Sequence, residues 1–399
     1  MTLAASARAL HGHVAPGFEP VREAFARNFA ERGELGAACA VYRHGEPVVD
    51  LWGGLRDGAR ALPWEPDTRV LVFSTTKGLA AMAMAVAHSR GLFALDEPVE
   101  RYWPEFAQEG KAAVTVRQLL AHQAGLCAVS GPLTPAVLAD PDARDAILAR
   151  QRPAWAPGLR HGYHALSLGF YEAALLRRVD PSHRSLGRFF RDEIATPLAL
   201  AFDFAPPETL PTDALAVLEA FPVWRVAGGL DRASWRTVLA LLRPGSLTAR
   251  AFANPRVRGP EDLAGPAARG VEFPAAGGRG IVRDIARAYG VFATGGGALG
   301  IAPGTLAELR TPTSAPSLGI FDEVLRVRTR YALGFLKPSP DFRFGTNDAA
   351  FGTMGAGGSF AFADPDAGLG FAYAMNRMGF HVWSDPRERA LREAVYRCL

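Results

Sequence analysis

"VLVFSTTKGLAA", residues 70–81, joins an apolar run to a segment of small residues and places a serine and a lysine three positions apart. Ser74 directly follows the apolar run. It is therefore expected near the N-terminus of the next helix, where free N–H groups and the helix dipole favour negative charge. Positions i and i+3 share one helix face, so the Lys77 amine can reach the Ser74 hydroxyl. The segment predicts a serine activated by a lysine.

Lysine is rare in this chain: the 399 residues contain three, Lys77, Lys111 and Lys337, among 44 basic residues. Arginine stays protonated and cannot act as a base, whereas a lysine surrounded by alanine and methionine loses hydration and its pKa falls. Such an amine can help to deprotonate a serine. An N-cap serine followed by an exposed lysine is the simpler alternative, and the pair alone does not exclude it.

Composition limits the class of protein. Hydrophobic residues make up 49% and charged residues 21% of the chain, which is typical of a globular protein with a substantial core. The net charge is +4 with no block of basic residues, so a nucleic-acid partner is not expected. The N-terminus lacks a long apolar region and no segment is long enough to span a bilayer. A cytoplasmic protein without a membrane partner is therefore predicted.

Strand patterns occur near both termini and helical patterns between them. "AACAVYRHGEPVVDLWGG" (residues 37–54) predicts a hairpin around a His-Gly turn, and "GGSFAFADPDAGLGFAYAMN" (residues 357–376) predicts two more strands. "TVRQLLAHQAGL" (residues 115–126) predicts a helix that ends at Gly125. We expect an α+β fold, with a sheet domain from residues 1–75 and 270–399, a mainly helical domain from 76–269, and the site at their interface.

A tyrosine stands where a Pro-Gly loop meets a helical pattern, in "WAPGLRHGYHALSLGFYEAALLRR" (residues 155–178). The phenol of Tyr163 can exchange a proton if a nearby ammonium, such as that of Lys77, stabilises its phenolate. A buried tyrosine with a satisfied hydroxyl is the simpler interpretation of this residue taken alone.

The same segment contains a rival nucleophile, Ser167, in the elbow-like sequence "ALSLG" (residues 165–169). A nucleophile elbow needs a buried strand directly before a sharp turn, whereas a helical pattern surrounds Ser167, so Ser74 is favoured. His161 and His164 have a metal-like spacing but no third ligand, so no metal is predicted. His164 remains a candidate for the substrate pocket.

A glycine-dense stretch, "FGTMGAGGSFAFADP" (residues 351–365), leads into a strand. Its glycines permit close approach of the backbone to a ligand, so the N–H of Ala356 is expected to form an oxyanion hole with that of Ser74. A strand bulge is the alternative. Because neither a dinucleotide fingerprint nor a Walker pattern is present, no nucleotide cofactor is expected.

Together these segments resemble the serine β-lactamase and penicillin-binding-protein superfamily, most closely its class-C-like branch with the family VIII carboxylesterases. The resemblance implies a serine β-lactamase-like fold, an antiparallel sheet flanked by helices, with the site beside a helical domain. It implies Ser74 as nucleophile and Lys77 as its partner in S-x-x-K, and Tyr163 as the tyrosine of Y-x-N. It also implies Ala356, after the pocket candidates Thr353, Met354 and Gly355, as the second oxyanion donor.

Two residues depart from the pattern of the β-lactamases. Ala165 replaces the asparagine of Y-x-N, and Thr353 replaces the lysine of the K-T-G-like strand motif. The cation that would meet a substrate carboxylate is therefore missing, unless Arg279 or His164 substitutes. These departures favour a neutral ester over a β-lactam.

Three functions follow from this resemblance, and the sequence leaves them open. The first is hydrolysis of a small carboxylic ester through a Ser74 acyl-enzyme, with Lys77 and Tyr163 exchanging the proton. The second is acyl transfer from the same intermediate to an alcohol or amine. The third is a non-catalytic binding protein that has kept the fold. No cofactor is implied in any of them, and the oligomeric state is not predicted.

Overall fold

One antiparallel sheet runs through the molecule, and its strands come from both ends of the chain. The computed structural model describes residues 10–205, 211, 214–220, 232–259, 261–264, 270–381 and 383–399. In those residues the sheet has nine strands, in the order β1-β3-β2-β12-β11-β10-β9-β8 with β4 paired to β3. Its strands are β1 (Leu10–Val14), β2 (Gly36–Arg43), β3 (Glu46–Asp57), β4 (Leu62–Pro63), β8 (Arg330–Ala332), β9 (Phe335–Lys337), β10 (Phe351–Met354), β11 (Phe360–Asp364) and β12 (Leu369–Met375).

A second, three-stranded sheet lies next to the predicted nucleophile. Its strands are β5 (Val70–Leu71), β7 (Arg279–Gly280) and β6 (Phe202–Asp203), with β7 in the centre. The sheet holds the segment before Ser74 against the segment around Arg279.

The helices of the described residues lie between the two strand groups and at both ends. They are α1 (Glu19–Glu31), α2 (Thr76–Ser89), α3 (Val116–Leu120), α4 (Pro135–Ala139), α5 (Pro141–Ala149), α6 (Leu168–Val179), α7 (Leu186–Phe190), α8 (Arg232–Leu242), α9 (Leu247–Ala251), α10 (Glu261–Ala264), α11 (Val282–Ala293), α12 (Pro303–Arg310) and α13 (Pro386–Arg397). No described helix is both long and apolar enough to cross a membrane.

Both faces of the large sheet are covered, as the alternation along β12 requires. Phe371 and Tyr373 pack in the cluster that includes residues of α1 and α13, whereas Ala372 and Ala374 face the cluster of α11. Successive side chains of a strand point to opposite faces, so this sequence buries large residues on one side and small ones on the other.

The small residues let α11 approach the sheet closely. A Cβ atom at Gly370 of β12 would lie 2.2 Å from the backbone nitrogen of Gly290 and 2.5 Å from the carbonyl oxygen of Ala286. No side chain fits such a gap, so the helix and strand meet through their backbones.

The α+β fold predicted from the sequence is confirmed.

The helix after Ser74 is central and buried, as its small side chains predict. Residues Thr76 to Ala87 of α2 are all buried, and the helix packs against α6, α7 and β10. This burial surrounds Lys77 with protein, which fixes its environment.

Two local predictions differ from the structure. Helix α3 was predicted to end at Gly125 but ends at Leu120. The left-handed φ of 60° at His122 is incompatible with a continuing helix. β1, which pairs with β3, was not predicted because its sequence has no strand alternation.

A buried arginine joins α13 to the strand end near the site. Arg387 is 3% exposed and donates to Glu34 (3.0 Å), to Asp385 (2.9 Å) and to the carbonyl oxygen of Gly357 (2.9 Å). Arg387→Met leaves two buried carboxylates without their cation, so we expect unfolding free energy to fall by about 3–5 kcal/mol.

Urea unfolding of Arg387→Met beside Arg389→Met measures this effect. Arg389 is on the same helix and pairs with Glu393 at 2.7 Å, but its side chain is 62% exposed. The control substitution should change stability by less than about 1 kcal/mol. Equal losses in the two variants would show that the buried network adds nothing specific.

Candidate active site

Ser74 lies in a single 3-10 turn between β5 and α2. The turn spans Phe73–Thr75, and Ser74 is half-buried. Phe73 has a φ of 47°, a left-handed conformation that is strained for a bulky residue and often marks a functional site. The first N–H groups of a helical segment lack acceptors within it, so the N–H of Ser74 is suited to bind an anion.

The Lys77 amine contacts the Ser74 hydroxyl, at a distance of 3.1 Å from Nζ to Oγ. Nζ also donates to the carbonyl oxygens of Ala165 (2.7 Å) and Ala275 (2.8 Å). A neutral amine has two hydrogens and one lone pair. If the carbonyls take the two hydrogens, the lone pair faces the serine hydroxyl.

Burial controls the charge of Lys77. The side chain is 1% exposed, and loss of hydration lowers its pKa to about 7. The carboxyl group of Glu172 on α6 opposes this shift, and burial raises its own pKa to about 8. Neither oxygen of Glu172 has a hydrogen-bond partner among the described residues. Glu172 was not predicted as a site residue, because it lies within a helix whose sequence pattern indicates only a structural role.

All three lysines of the chain are buried. Lys111 and Lys337 also donate to backbone carbonyls, and burial lowers their pKa values to about 8 and about 7. Burial and a lowered pKa therefore do not distinguish Lys77. Its contact with the hydroxyl of Ser74 does.

Tyr163 stands beside both residues. Lys77 Nζ lies 4.8 Å from the centroid of the Tyr163 ring, and Tyr163 and Ser74 line the same cavity. Burial raises the pKa of Tyr163, and the neighbouring Ser74 side chain only partly opposes this. The expected phenolate is therefore disfavoured at neutral pH, and the group present is a neutral phenol.

A buried aspartate positions the tyrosine. Asp322 is fully buried, and its carboxylate accepts from the Tyr163 N–H (3.1 Å) and from the Tyr331 hydroxyl (2.9 Å). It also accepts from the N–H groups of Val324 (2.9 Å) and Leu325 (2.8 Å). Asp322 is distant in sequence from every motif, so no local pattern could have identified it.

His164, predicted to line the pocket, is not among the described residues that line the cavity around Ser74. It is fully buried, and its imidazole hydrogen-bonds to the Gly162 carbonyl (2.8 Å) and accepts from the Leu126 N–H (3.1 Å). Burial lowers its pKa to about 3, so the ring is neutral. His122 lines the cavity instead, with its ring centroid 5.2 Å from that of Tyr163.

The strand residues predicted for the site lie opposite Ser74. Thr353, Met354, Gly355 and Ala356 all line the same cavity as Ser74. Ala356 is exposed and begins a short turn, Ala356–Gly358, so its N–H is not committed to a preceding turn.

The hydroxyl of Thr353 is already used within the protein. It donates to the Thr75 carbonyl (3.1 Å) and lies 3.1 Å from the hydroxyl of Tyr289. Where β-lactamases place a lysine, this chain therefore has an internal link between β10 and the Ser74 turn.

The cavity beside Ser74 has a volume of about 280 Å³ and mostly apolar walls. Apolar lining side chains include Leu241, Phe252, Leu325, Leu336, Met378 and Trp383. Lys77 is the sole lysine or arginine among its described lining residues.

Three other sequence candidates lie away from this cavity. Ser167 is 2% exposed and donates to the Leu126 carbonyl at 2.8 Å, as a structural serine does. Arg279 lines a different cavity, and His161 hydrogen-bonds to the Ile320 carbonyl at 3.0 Å. Among described residues there is no group of three His, Cys, Asp or Glu suited to hold a metal.

Proteins of similar sequence show which family this chain belongs to. Residues 21–396 match the Beta-lactamase family. The chain belongs to the beta-lactamase family. Members similar to it include the Esterase/beta-lactamase LipL of Mycobacterium tuberculosis, which is 33% identical over 93% of this chain and 84% of its own length.

Two solved structures of the family are similar over almost the whole chain. One is a family VIII carboxylesterase, with 37% identity, a TM-score of 0.87 and coverage of 98% of this chain and 100% of the other. The second is a penicillin-binding protein homolog from Caulobacter crescentus, with 36% identity, a TM-score of 0.85 and the same coverage. The resemblance drawn from the sequence is confirmed, and these relatives support a serine hydrolase.

Proposed function

We propose that the protein is a serine esterase that cleaves a neutral carboxylic ester through an acyl-enzyme on Ser74. The observation that carries this proposal is the environment of Lys77, whose amine contacts Ser74 and two backbone carbonyls. Relatives named esterase and carboxylesterase support the same activity.

The first step is attack of Ser74 Oγ on the ester carbonyl. The neutral Lys77 amine accepts the hydroxyl proton as the C–O bond forms, and the N–H groups of Ser74 and Ala356 stabilise the oxyanion. The proton then passes through the Tyr163 hydroxyl to the leaving alcohol, and the acyl group stays on Ser74.

Water completes the cycle. It attacks the acyl carbonyl and gives a proton to the neutral Lys77 amine, and that proton passes through the Tyr163 hydroxyl to the Ser74 oxygen as the carboxylic acid is released. Tyr163 serves as a neutral relay in both steps, which agrees with its raised pKa.

The cavity supports a neutral and largely apolar substrate. Apart from Lys77, no lysine or arginine is among the described residues that line it, and its other basic groups are the imidazoles of His122 and His381. The mostly apolar wall therefore favours a neutral substrate over a carboxylate. Its volume of about 280 Å³ favours a short acyl chain.

A burst experiment with p-nitrophenyl butyrate tests the proposal. We expect a rapid release of one equivalent of p-nitrophenol before the steady state, and a butyryl adduct on Ser74 by peptide mass spectrometry. Labelling by a fluorophosphonate should occur at the same residue. A folded protein that neither turns over the ester nor reacts with the fluorophosphonate would support the non-catalytic alternative.

The pH dependence of kcat/KM follows from the pKa of Lys77. The amine must be neutral to accept the serine proton, so kcat/KM should rise with pH, reach half of its plateau at about pH 7, and then level off. The raised pKa of Tyr163 adds no alkaline loss near neutrality. Stopped-flow rates from pH 5 to about 9 measure this profile.

Glu172→Gln should move that midpoint to lower pH. Ionised Glu172 raises the pKa of Lys77, and its own pKa of about 8 leaves only part of it ionised at the midpoint. The amide removes that partial charge at nearly the same volume, so the shift should be small and toward lower pH. Glu393→Gln on α13 is the matched control, because its side chain is 48% exposed and it pairs with Arg389. A midpoint that stays fixed in Glu172→Gln, or moves equally in the control, contradicts the assignment to Lys77.

A further inference from the structure

A second cavity, of about 640 Å³, lies apart from the one beside Ser74. It is bounded by described residues of the segments 132–138, 253–258, 262–263 and 271–279 and by Phe204, and shares no described lining residue with the first cavity. Its volume is within the range of about 300–1,000 Å³ of small-molecule sites. The apolar part of its wall consists mainly of Leu133, Leu138, Phe204, Val257, Leu263 and Phe273.

One buried guanidinium lines this apolar cavity. Arg279 on β7 is 2% exposed, and its Nη1 donates to the Gly277 carbonyl at 3.2 Å. Nε and Nη2 have no hydrogen-bond partner among the described residues. Asp203 is the acidic group that acts on Arg279, but its carboxylate is paired with Arg69 at 2.7 Å.

Arg279 remains charged despite its burial. Loss of hydration lowers its pKa to about 10, which still leaves the guanidinium protonated at neutral pH. A buried cation without an acceptor is unfavourable, and an anion in the cavity would remove that penalty.

The two Arg279 nitrogens without a hydrogen-bond partner determine the shape of the group that could bind them. Nε and Nη2 lie on one edge of the guanidinium plane, and their two parallel N–H bonds match the two oxygens of a carboxylate. Neither nitrogen is exposed to solvent, so a ligand reaches them only when the side chains that cover them shift. We propose that this cavity binds an amphiphilic monocarboxylate, which after that shift places its carboxylate on Nε and Nη2 of Arg279 and its hydrocarbon portion against the apolar wall.

The other charged groups around this cavity favour a ligand with one negative charge deep in the cavity and an apolar body. Arg256 and Arg258 are exposed at the rim, where solvent screens them, and the Asp262 carboxylate accepts from the Arg258 N–H at 2.7 Å. The amide of Asn254 is satisfied by the Val129 and Gly131 carbonyls and the Leu133 N–H. A compact polyanion such as phosphate would leave the apolar wall uncovered.

Calorimetry with octanoate as the probe tests the site, with 1-octanol and inorganic phosphate as comparison ligands. We expect octanoate to bind wild-type protein and Arg279→Met to weaken it by about tenfold or more, because a charge-assisted bidentate contact is lost. 1-Octanol keeps the tail without the charge, and phosphate keeps a charge without the tail. Each should bind about tenfold or more weakly than octanoate.

A second variant keeps the test decisive if Arg279→Met fails to fold. Leu138→Trp places a larger side chain in the cavity from a half-buried position on α4 and retains Arg279. It should also weaken octanoate binding. Arg389→Met, at an exposed position of α13, is the control that should leave binding unchanged.

Three results would overturn the proposal. They are no octanoate binding to wild-type protein, an affinity unchanged in both cavity variants, and phosphate binding as tightly as octanoate. Unchanged affinity in both variants would place octanoate outside this cavity. Because the two cavities share no lining residue, this outcome is independent of whether Ser74 is the nucleophile.

Discussion

Ser74→Ala is expected to lower kcat/KM for p-nitrophenyl butyrate by on the order of 10⁴-fold, because the acyl-enzyme can no longer form. Thermal stability should change little, since the half-buried hydroxyl makes its contact with Lys77 in a position open to the cavity. Steady-state kinetics and a melting curve on the same preparation measure both quantities.

Ser167→Ala is the matched control for this substitution. Its hydroxyl is buried and donates to the Leu126 carbonyl, so its loss should lower stability by about 1 kcal/mol. The activity per folded molecule should not change. Full activity in Ser74→Ala, or a covalent adduct on Ser167, would reject the proposed nucleophile.

Lys77→Met should lower kcat/KM by on the order of 10³-fold or more, because the serine loses its proton acceptor. Methionine approximates the lysine stem in volume but leaves the Ala165 and Ala275 carbonyls unpaired, at a cost of about 1–3 kcal/mol. Lys77→Arg should also be inactive, since a guanidinium keeps its proton at neutral pH. Kinetics corrected for the folded fraction measure the effect.

Lys111→Met separates catalysis from burial. Lys111 is fully buried and donates to three backbone carbonyls, so its replacement should cost as much stability as that of Lys77. None of the residues that accept its hydrogen bonds lines the cavity beside Ser74, so activity per folded molecule should not change. If Lys111→Met and Lys77→Met lose activity equally, the effect is one of stability and the proposed base is wrong.

The local part of the site was predictable because short-range geometry governs it. Ser74 and Lys77 lie three residues apart on one turn, and helix geometry alone brings their side chains together. The hairpins were equally accessible, since alternation and turn residues mark them within a few positions. Patterns without period, such as β1, were not recognised.

The partners of these residues depend on contacts across the chain. The carbonyl of Ala275 that binds Lys77 is 198 residues away in sequence, and Asp322 is 159 residues from the Tyr163 that it orients. Neither has a sequence pattern of its own. The placement of His164 was mistaken for the same reason, because its neighbours come from a loop at residue 126.

The sequence by itself determined the class of fold and the contact between Ser74 and Lys77, since periodicity and spacing are properties of short segments, and the order of its motifs carried the resemblance to the family. Only the tertiary structure decided the protonation chemistry. A pKa depends on how much water and which charges surround a group, and those come from Glu172, Asp322 and the carbonyls that folding brings to Lys77 and Tyr163. The unpaired guanidinium of Arg279 was likewise invisible in the sequence, because burial without a partner exists only in the folded chain.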